Sequence, residues 1–288
     1  MSLVIILLFS VVLLSACSGS ADEALLEQKS RVSVDLSTFQ VEVENMGRGS
    51  RAALSSAASR LSFAVLKSDG TQVFTVHQNS VDEDFGSVEM ELYPDTYQMV
   101  ALAHNGDADA GITSTSSVTL PGTTYTDTFS KVQELTVKSG EDCNLDMTLP
   151  RITSAFILKL TDTPPANAKR IEIVLYNGGP TPNPLTVNPS TGFAAENWSQ
   201  TCSIPIEDMI DDTPDLIYYI GNTSPLYVTV KATAYDSDNN KIIHHIIPSV
   251  PLTPNQKTIA TGTFFQSSAS GIFTITSDWN SEDNNIEY

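Results

Sequence analysis

Charge is what this chain has least of. Only 17% of its 288 residues are charged, against about 25% in an average soluble protein. The few charges are also lopsided, 15 bases against 34 acids, for a net charge of -19. So acidic a surface disfavours nucleic acid and offers no basic patch for anionic lipid headgroups. Partners must then be met through backbone or apolar contacts. Cysteine is scarce, at Cys17, Cys143 and Cys202, and there are two tryptophans. The long apolar run from Leu3 to Ala16 is fourteen residues, short of the roughly 20 that span a bilayer. Helical periodicity is almost lacking.

Catalytic patterns are lacking too. No nucleophile elbow, phosphate-binding loop or dinucleotide fingerprint occurs, and the carboxylates are scattered rather than paired. The four histidines are His77, His104, His244 and His245. In a strand the adjacent pair points to opposite faces, and neither His-x-x-x-His nor Cys-x-x-Cys spacing is present. Asp236-Ser-Asp238-Asn-Asn240 copies the start of a calcium loop. Lys241 and Ile247 then occupy the positions where that loop needs its glycine and its bidentate glutamate, so the stretch reads as a hairpin turn. The expectation is no enzyme, no metal and no cofactor.

What is present is alternation. Hydrophobic residues make up 41% of the chain, enough for a packed core. Val32, Val34 and Leu36 alternate, and after a phase slip Phe39, Val41 and Val43 alternate again, as a bulged half-buried strand does. Residues 46 to 58 are small and polar and read as a linker. Leu61–Leu66, a Ser68-Asp-Gly70 turn and Gln72–His77 make a hairpin. Further strands are expected at Ser87–Leu92, Tyr97–Ala103, Val118–Leu120, Leu135–Val137 and Leu145–Leu149.

Pro150 punctuates, and the opening returns: Arg60-Leu-Ser-Phe-Ala-Val-Leu-Lys67 is echoed by Arg151-Ile-Thr-Ser-Ala-Phe-Ile-Leu-Lys159. Arg170–Tyr176 is a strand, 177 to 189 an exposed Gly/Pro-rich loop, and Ile206–Ile210 one helical turn. Leu226–Tyr235, Lys241–Ile247, Lys257–Phe265 and Ile272–Ile275 complete the set. Many short strands between polar turns indicate all-β sandwiches, two in tandem: 31–149 and 150–288. Cys143 and Cys202 then fall in different domains and read as two buried thiols, although their pairing is left open.

The N-terminus carries the sharpest motif. Leu14-Ser-Ala-Cys17 closes the apolar run and resembles a bacterial lipoprotein signal, with residues 1–16 removed and Cys17 lipidated. No Lys or Arg precedes the run, which points to a start upstream of Met1. Multiple acyl chains on Cys17 would anchor the chain stably where one would not. Residues 17–30 then form a flexible tether reaching at most ~40 Å, and Asp22-Glu23 resembles the surface-export signal of Bacteroidetes lipoproteins.

Taken with Arg51-Ala52, Leu61–Gly70, Met90-Glu-Leu-Tyr-Pro-Asp-Thr-Tyr-Gln-Met-Val-Ala-Leu-Ala-His104, Pro251–Phe264 and Phe273–Trp279, the chain resembles the fimbrillin superfamily of Bacteroidetes. These are the subunits of type V pili, and the likeness is to the lipid-anchored accessory group related to the minor-fimbria anchor. The resemblance implies two transthyretin-like β-sandwiches on the outer membrane, built with other subunits into a surface fimbria. It also implies strand addition, in which an Arg-specific cut frees a groove that takes the next subunit's strand.

Two uses of that mechanism fit. Either the first strand (Val32, Val34, Leu36, Phe39, Val41, Val43) stays in place and the protein is a base or accessory subunit. Or cleavage after Arg48, Arg51 or Arg60 makes it a stalk or tip subunit. A glycan-binding surface lipoprotein of an uptake system is the alternative, using Trp198, Trp279 and Tyr218-Tyr219 as platforms.

Overall fold

Alternating residues become strand along most of the chain. The structure, a computed structural model, describes residues 28–36, 38–39, 52–53, 57–123, 125–209, 216–266 and 273–277. The first strands are β1 (Ser30–Asp35), β2 (Thr38–Phe39), β3 (Ala52–Ala53), β4 (Arg60–Lys67), β5 (Gln72–Asn79) and β6 (Ser87–Leu92). Then come β7 (Asp95–His104), β8 (Gly111–Ser114), β9 (Ser117–Leu120), β10 (Thr128–Val137) and β11 (Cys143–Asp146). The second half opens with β12 (Ser154–Leu160), β13 (Arg170–Tyr176), β14 (Leu185–Asn188), β15 (Phe193–Ala194) and β16 (Gln200–Pro205). The helical turn α1 (Ile206–Met209) precedes β17 (Ile217–Tyr219), β18 (Leu226–Tyr235), β19 (Lys241–Leu252), β20 (Lys257–Gly262) and β21 (Phe273–Ser277).

The sheets come in facing pairs, an all-β sandwich architecture. In the first half the orders are β11-β1-β6 and β10-β7-β4-β5, closed over one core of Val32, Val34, Leu61, Phe63, Met99 and their neighbours. In the second they are β17-β12-β20-β21 and β16-β13-β18-β19, closed over Phe156, Leu158, Ile171, Ile173 and Val230. One connectivity runs twice. β1 lies between an antiparallel β6 and a parallel β11, as β12 lies between an antiparallel β17 and a parallel β20. β4, flanked by β5 and β7, matches β13, flanked by β16 and β18. The sequence echo therefore joins unlike strands: Arg60–Lys67 is β4, whereas Ser154–Leu160 is the counterpart of β1. Both stretches are buried runs, and shared hydrophobicity, not shared position, makes them look alike.

Each half also extends a hairpin, and the two hairpins combine. β8–β9 from the first half and β14–β15 from the second form one sheet, β15-β14-β9-β8, through Leu185 opposite Leu120 and Val187 opposite Val118. It covers the outer face of β4 and β7, so Ala64, Leu66, Val100 and Leu102 share a core with Val118 and Val187. That is why Leu61–Leu66 is buried on both faces and lacks alternation.

The exposed loop expected over 177–189 ends earlier than its composition suggests, because Leu185 and Val187 are buried. The Leu-Thr-Val-Asn alternation is too short to register among four prolines. The helical turn expected at 206–210 is seen at Ile206–Met209, and the Ser68–Gly70 hairpin turns at Gly70 with φ +86°.

Candidate functional site: the seat of the first strand

β1 is the strand on which the sequence places the function, and it is built into the molecule as deeply as any. Val32, Val34 and Leu36 are each at most 1% exposed, and burying each contributes roughly 1.5–3 kcal/mol. Both edges are paired: Ser30–Asp35 runs antiparallel along Leu92–Ser87, and Val32–Asp35 parallel along Cys143–Asp146. The amide of Leu36 donates to the carbonyl of Gly86 (2.6 Å), and that of Met147 to the carbonyl of Asp35 (2.9 Å). Taking β1 away would open a groove between β6 and β11 with two rows of unpaired backbone groups and an exposed core.

The outward face of β1 is polar. The Arg31 guanidinium reaches Glu89 at 2.6 Å, and its backbone amide donates to Asp142 at 3.3 Å. Ser30, on the inward face with Val32 and 1% exposed, donates its hydroxyl to the carbonyl of Lys138. Arg31 thus sits between Glu89 inside β6 and Asp142 just before β11.

Of the remaining residues expected in that strand, Phe39 lies in β2, whose backbone pairs with β3 at Ala52; Val41 and Val43 lie outside the described residues. So do Cys17, Arg48 and Arg51. Arg60 is described, and it is no linker residue. It opens β4, paired with Asn79 and His104. Its guanidinium donates to the carbonyl of Gly106 (2.9 Å) and to Asp109 (2.8 Å). A protease reaching this bond must first peel β4 from two neighbours.

The other candidates are absorbed by structure. His104 is 3% exposed; its Nδ1 accepts from the Gly106 amide (2.9 Å). Burial, helped by the neighbouring Arg60 charge, brings its pKa down to about 4. His77 pairs with Ser62 (2.9 Å). His245 meets the carbonyl of Phe264 (2.8 Å). Asp236 spends its carboxylate on the amides of Asp238 (2.9 Å) and Asn240 (2.8 Å), as a tight turn does. Among the described residues no group of three or more His, Cys, Asp or Glu is arranged to hold a metal ion.

The glycan platform is likewise redirected inward. Trp198 is 2% exposed, stacks on Tyr219 with centroids 4.2 Å apart, and meets Tyr125 edge-on at 4.9 Å. Its indole N–H donates to the carbonyl of Ile220 (2.8 Å). Tyr218 is half-buried, which raises its hydroxyl pKa to about 12; Trp279 lies outside the described residues. Cys143 and Cys202 are half-buried rather than fully buried, in β11 and β16, and are not joined to each other by a disulfide.

Residues 26–288 match the model of DUF6562, described as a family of unknown function. No curated protein is similar to the chain in sequence. Among solved structures, a candidate polysaccharide-binding protein (DUF1812) from Bacteroides thetaiotaomicron is 11% identical, with a TM-score of 0.53 over 89% of this chain and 100% of that one. A candidate adhesin from Bacteroides ovatus is 10% identical, with a TM-score of 0.51 over 90% and 95%. The fimbrial anchor protein Mfa2 from Porphyromonas gingivalis is 13% identical, with a TM-score of 0.48 over 86% and 97%. The first two likenesses are of fold.

Proposed function

We propose that this chain, which belongs to the DUF6562 family of unknown function, is a non-catalytic fimbrial surface protein. In this reading Cys17 carries the lipid that holds it on the outer membrane, and it serves as a base or accessory subunit whose first strand is retained. The observation that carries the proposal is the position of β1: a central strand with both edges paired, Val32, Val34 and the adjoining Leu36 in the core, and a polar outer face. A strand so placed stabilises its own chain when kept, and its seat accepts another chain's strand only when it is removed. Backbone pairing gives affinity in such exchange, and alternating side chains give register. The fold shared with a candidate adhesin supports a role at the cell surface, and the lipobox and arginine motifs support the fimbrial setting.

Mass spectrometry of the protein from outer-membrane and fimbrial fractions tests this. The expected result is one chain, acylated at Cys17 and uncut through residue 60. A lipid-free chain beginning after Arg48 or Arg51, in a detergent-resistant ladder, would make it a polymerising subunit instead. An uncut lipoprotein never recovered with fimbriae would remove it from the fimbria altogether.

A further inference from the structure

We infer that the cleft walled by Pro180, Pro182 and Pro184 is a preformed site for a neutral saccharide unit. The cleft has a volume of about 340 Å³, at the lower end of the ~300–1,000 Å³ that small-molecule sites occupy. Its lining combines the three pyrrolidine rings and the edge of the buried Trp198 with the polar Thr186, Glu196 and Asn197.

Hydrogen bonds from neighbouring segments hold the lining in place. The Tyr125 hydroxyl donates to the carbonyl of Pro182 (2.6 Å), and burial raises its pKa to about 12, which keeps the proton in place. The Thr181 hydroxyl donates to the carbonyl of Ser199 (2.6 Å), and the Gly122 amide donates to the Asn183 side chain (3.1 Å). Gly179 lies so close to the carbonyl of Asn197 that any side chain there would collide with it. Trp198 is held by its stack on Tyr219. A site whose backbone is already ordered loses little entropy on binding.

The chemistry of the walls narrows the occupant. Three of the five residues from 180 to 184 are proline and have no amide to donate, so this wall cannot pair with an added peptide strand. Glu196, in a chain of net charge -19, repels sialylated, sulfated and other anionic ligands. A single carboxylate does not hold a cation, and a polar wall is wasted on a lipid chain. What remains is an uncharged molecule with an apolar face for the rings and hydroxyls for the polar side chains of the lining. Asn197 is suited to meet such hydroxyls. Its Oδ1 accepts from the side-chain amides of Asn222 and Asn177, which turns its own Nδ2 donors elsewhere. Glu196 then accepts from one hydroxyl while Asn197 donates to its neighbour.

The inference stands apart from how the chain is anchored or assembled. Its test is an array of neutral oligosaccharides beside sialylated and sulfated ones, probed with the full-length protein in detergent. The tightest neutral binder is then titrated into wild type, Glu196→Ala and Asn197→Ala. Glu196 is exposed, so its variant keeps the wild-type melting temperature, and Thr186→Val serves if Asn197→Ala disturbs the amide cluster. We expect a neutral glycan bound at least tenfold more weakly by these variants. Binding of acidic glycans alone, of none, or of a neutral one at unchanged affinity in the variants overturns it.

Discussion

At the scale of single residues, the informative side chains are polar ones held inside. His104 is neutral because burial opposes its charge, and the Arg60 guanidinium opposes it further while Asp109 partly offsets this. Its folded pKa of about 4 lies below the ordinary value of 6.5, so protonation favours the unfolded chain. The stability this histidine contributes is complete above about pH 6.5 and is lost as pH falls toward 4. We expect the melting temperature to fall through that window, and the fall to be smaller in His104→Asn; equal slopes in both proteins would refute the assignment. Arg151 makes the opposite case. Its guanidinium grips Asp127 with two hydrogen bonds, at 2.8 and 2.9 Å, and reaches Asn255 at 3.1 Å; Thr153 donates to the same carboxylate at 2.8 Å. Arg151→Met leaves that buried carboxylate uncompensated and should cost about 3–5 kcal/mol by denaturant titration. Adding Asp127→Asn should restore part of the loss.

At the scale of elements, β1 decides how the protein is used. Its two faces make different demands. Val34→Asp places a charge where 1% of the surface is exposed, and we expect a loss of roughly 3 kcal/mol or more, with hydrogen-exchange protection falling in β6 and β11 as well. Arg31→Ala removes only an exposed ion pair with Glu89, worth about 0–1 kcal/mol. If the two variants were equally stable, β1 would not be seated as described. β12 occupies the matching position in the second half, yet Pro150 and Arg151 tie its approach into the core, with the Ile152 amide bonded to Thr128 (2.9 Å).

At the scale of the whole molecule, the halves are joined by more than a linker. The β15-β14-β9-β8 sheet takes two strands from each, the Tyr125–Trp198–Tyr219 rings pack across the join, and the Asp127–Arg151 pair lies beside it. Core shared in this way couples unfolding, so calorimetry of the full chain should give one cooperative transition. Two separated transitions would mean that the shared sheet contributes little. Force applied to one half is then passed through paired backbone and packed rings to the other.

Much of this was legible from residue order. Period-two alternation marked most strands, the Asp-Gly turn marked a hairpin, and Val32, Val34 and Leu36 announced a buried strand face, because each of these signals is local. The lipobox and the arginines are also local signals, and they supply the fimbrial setting of the proposal, while the seating of β1 supplies the retained strand. Only tertiary structure decided the rest. Alternation cannot say that β1 pairs with β11 across more than a hundred residues, nor that β12 rather than β4 repeats the place of β1. Trp198 stood among the candidate platforms of the glycan-binding alternative, and 185–188 lay in an expected loop; packing buried Trp198, Leu185 and Val187, because each found partners distant in the chain. The proline-walled cleft exists only where Gly179 lets two such segments touch. Local order sets which residues want to be strands, and long-range burial sets which strands meet.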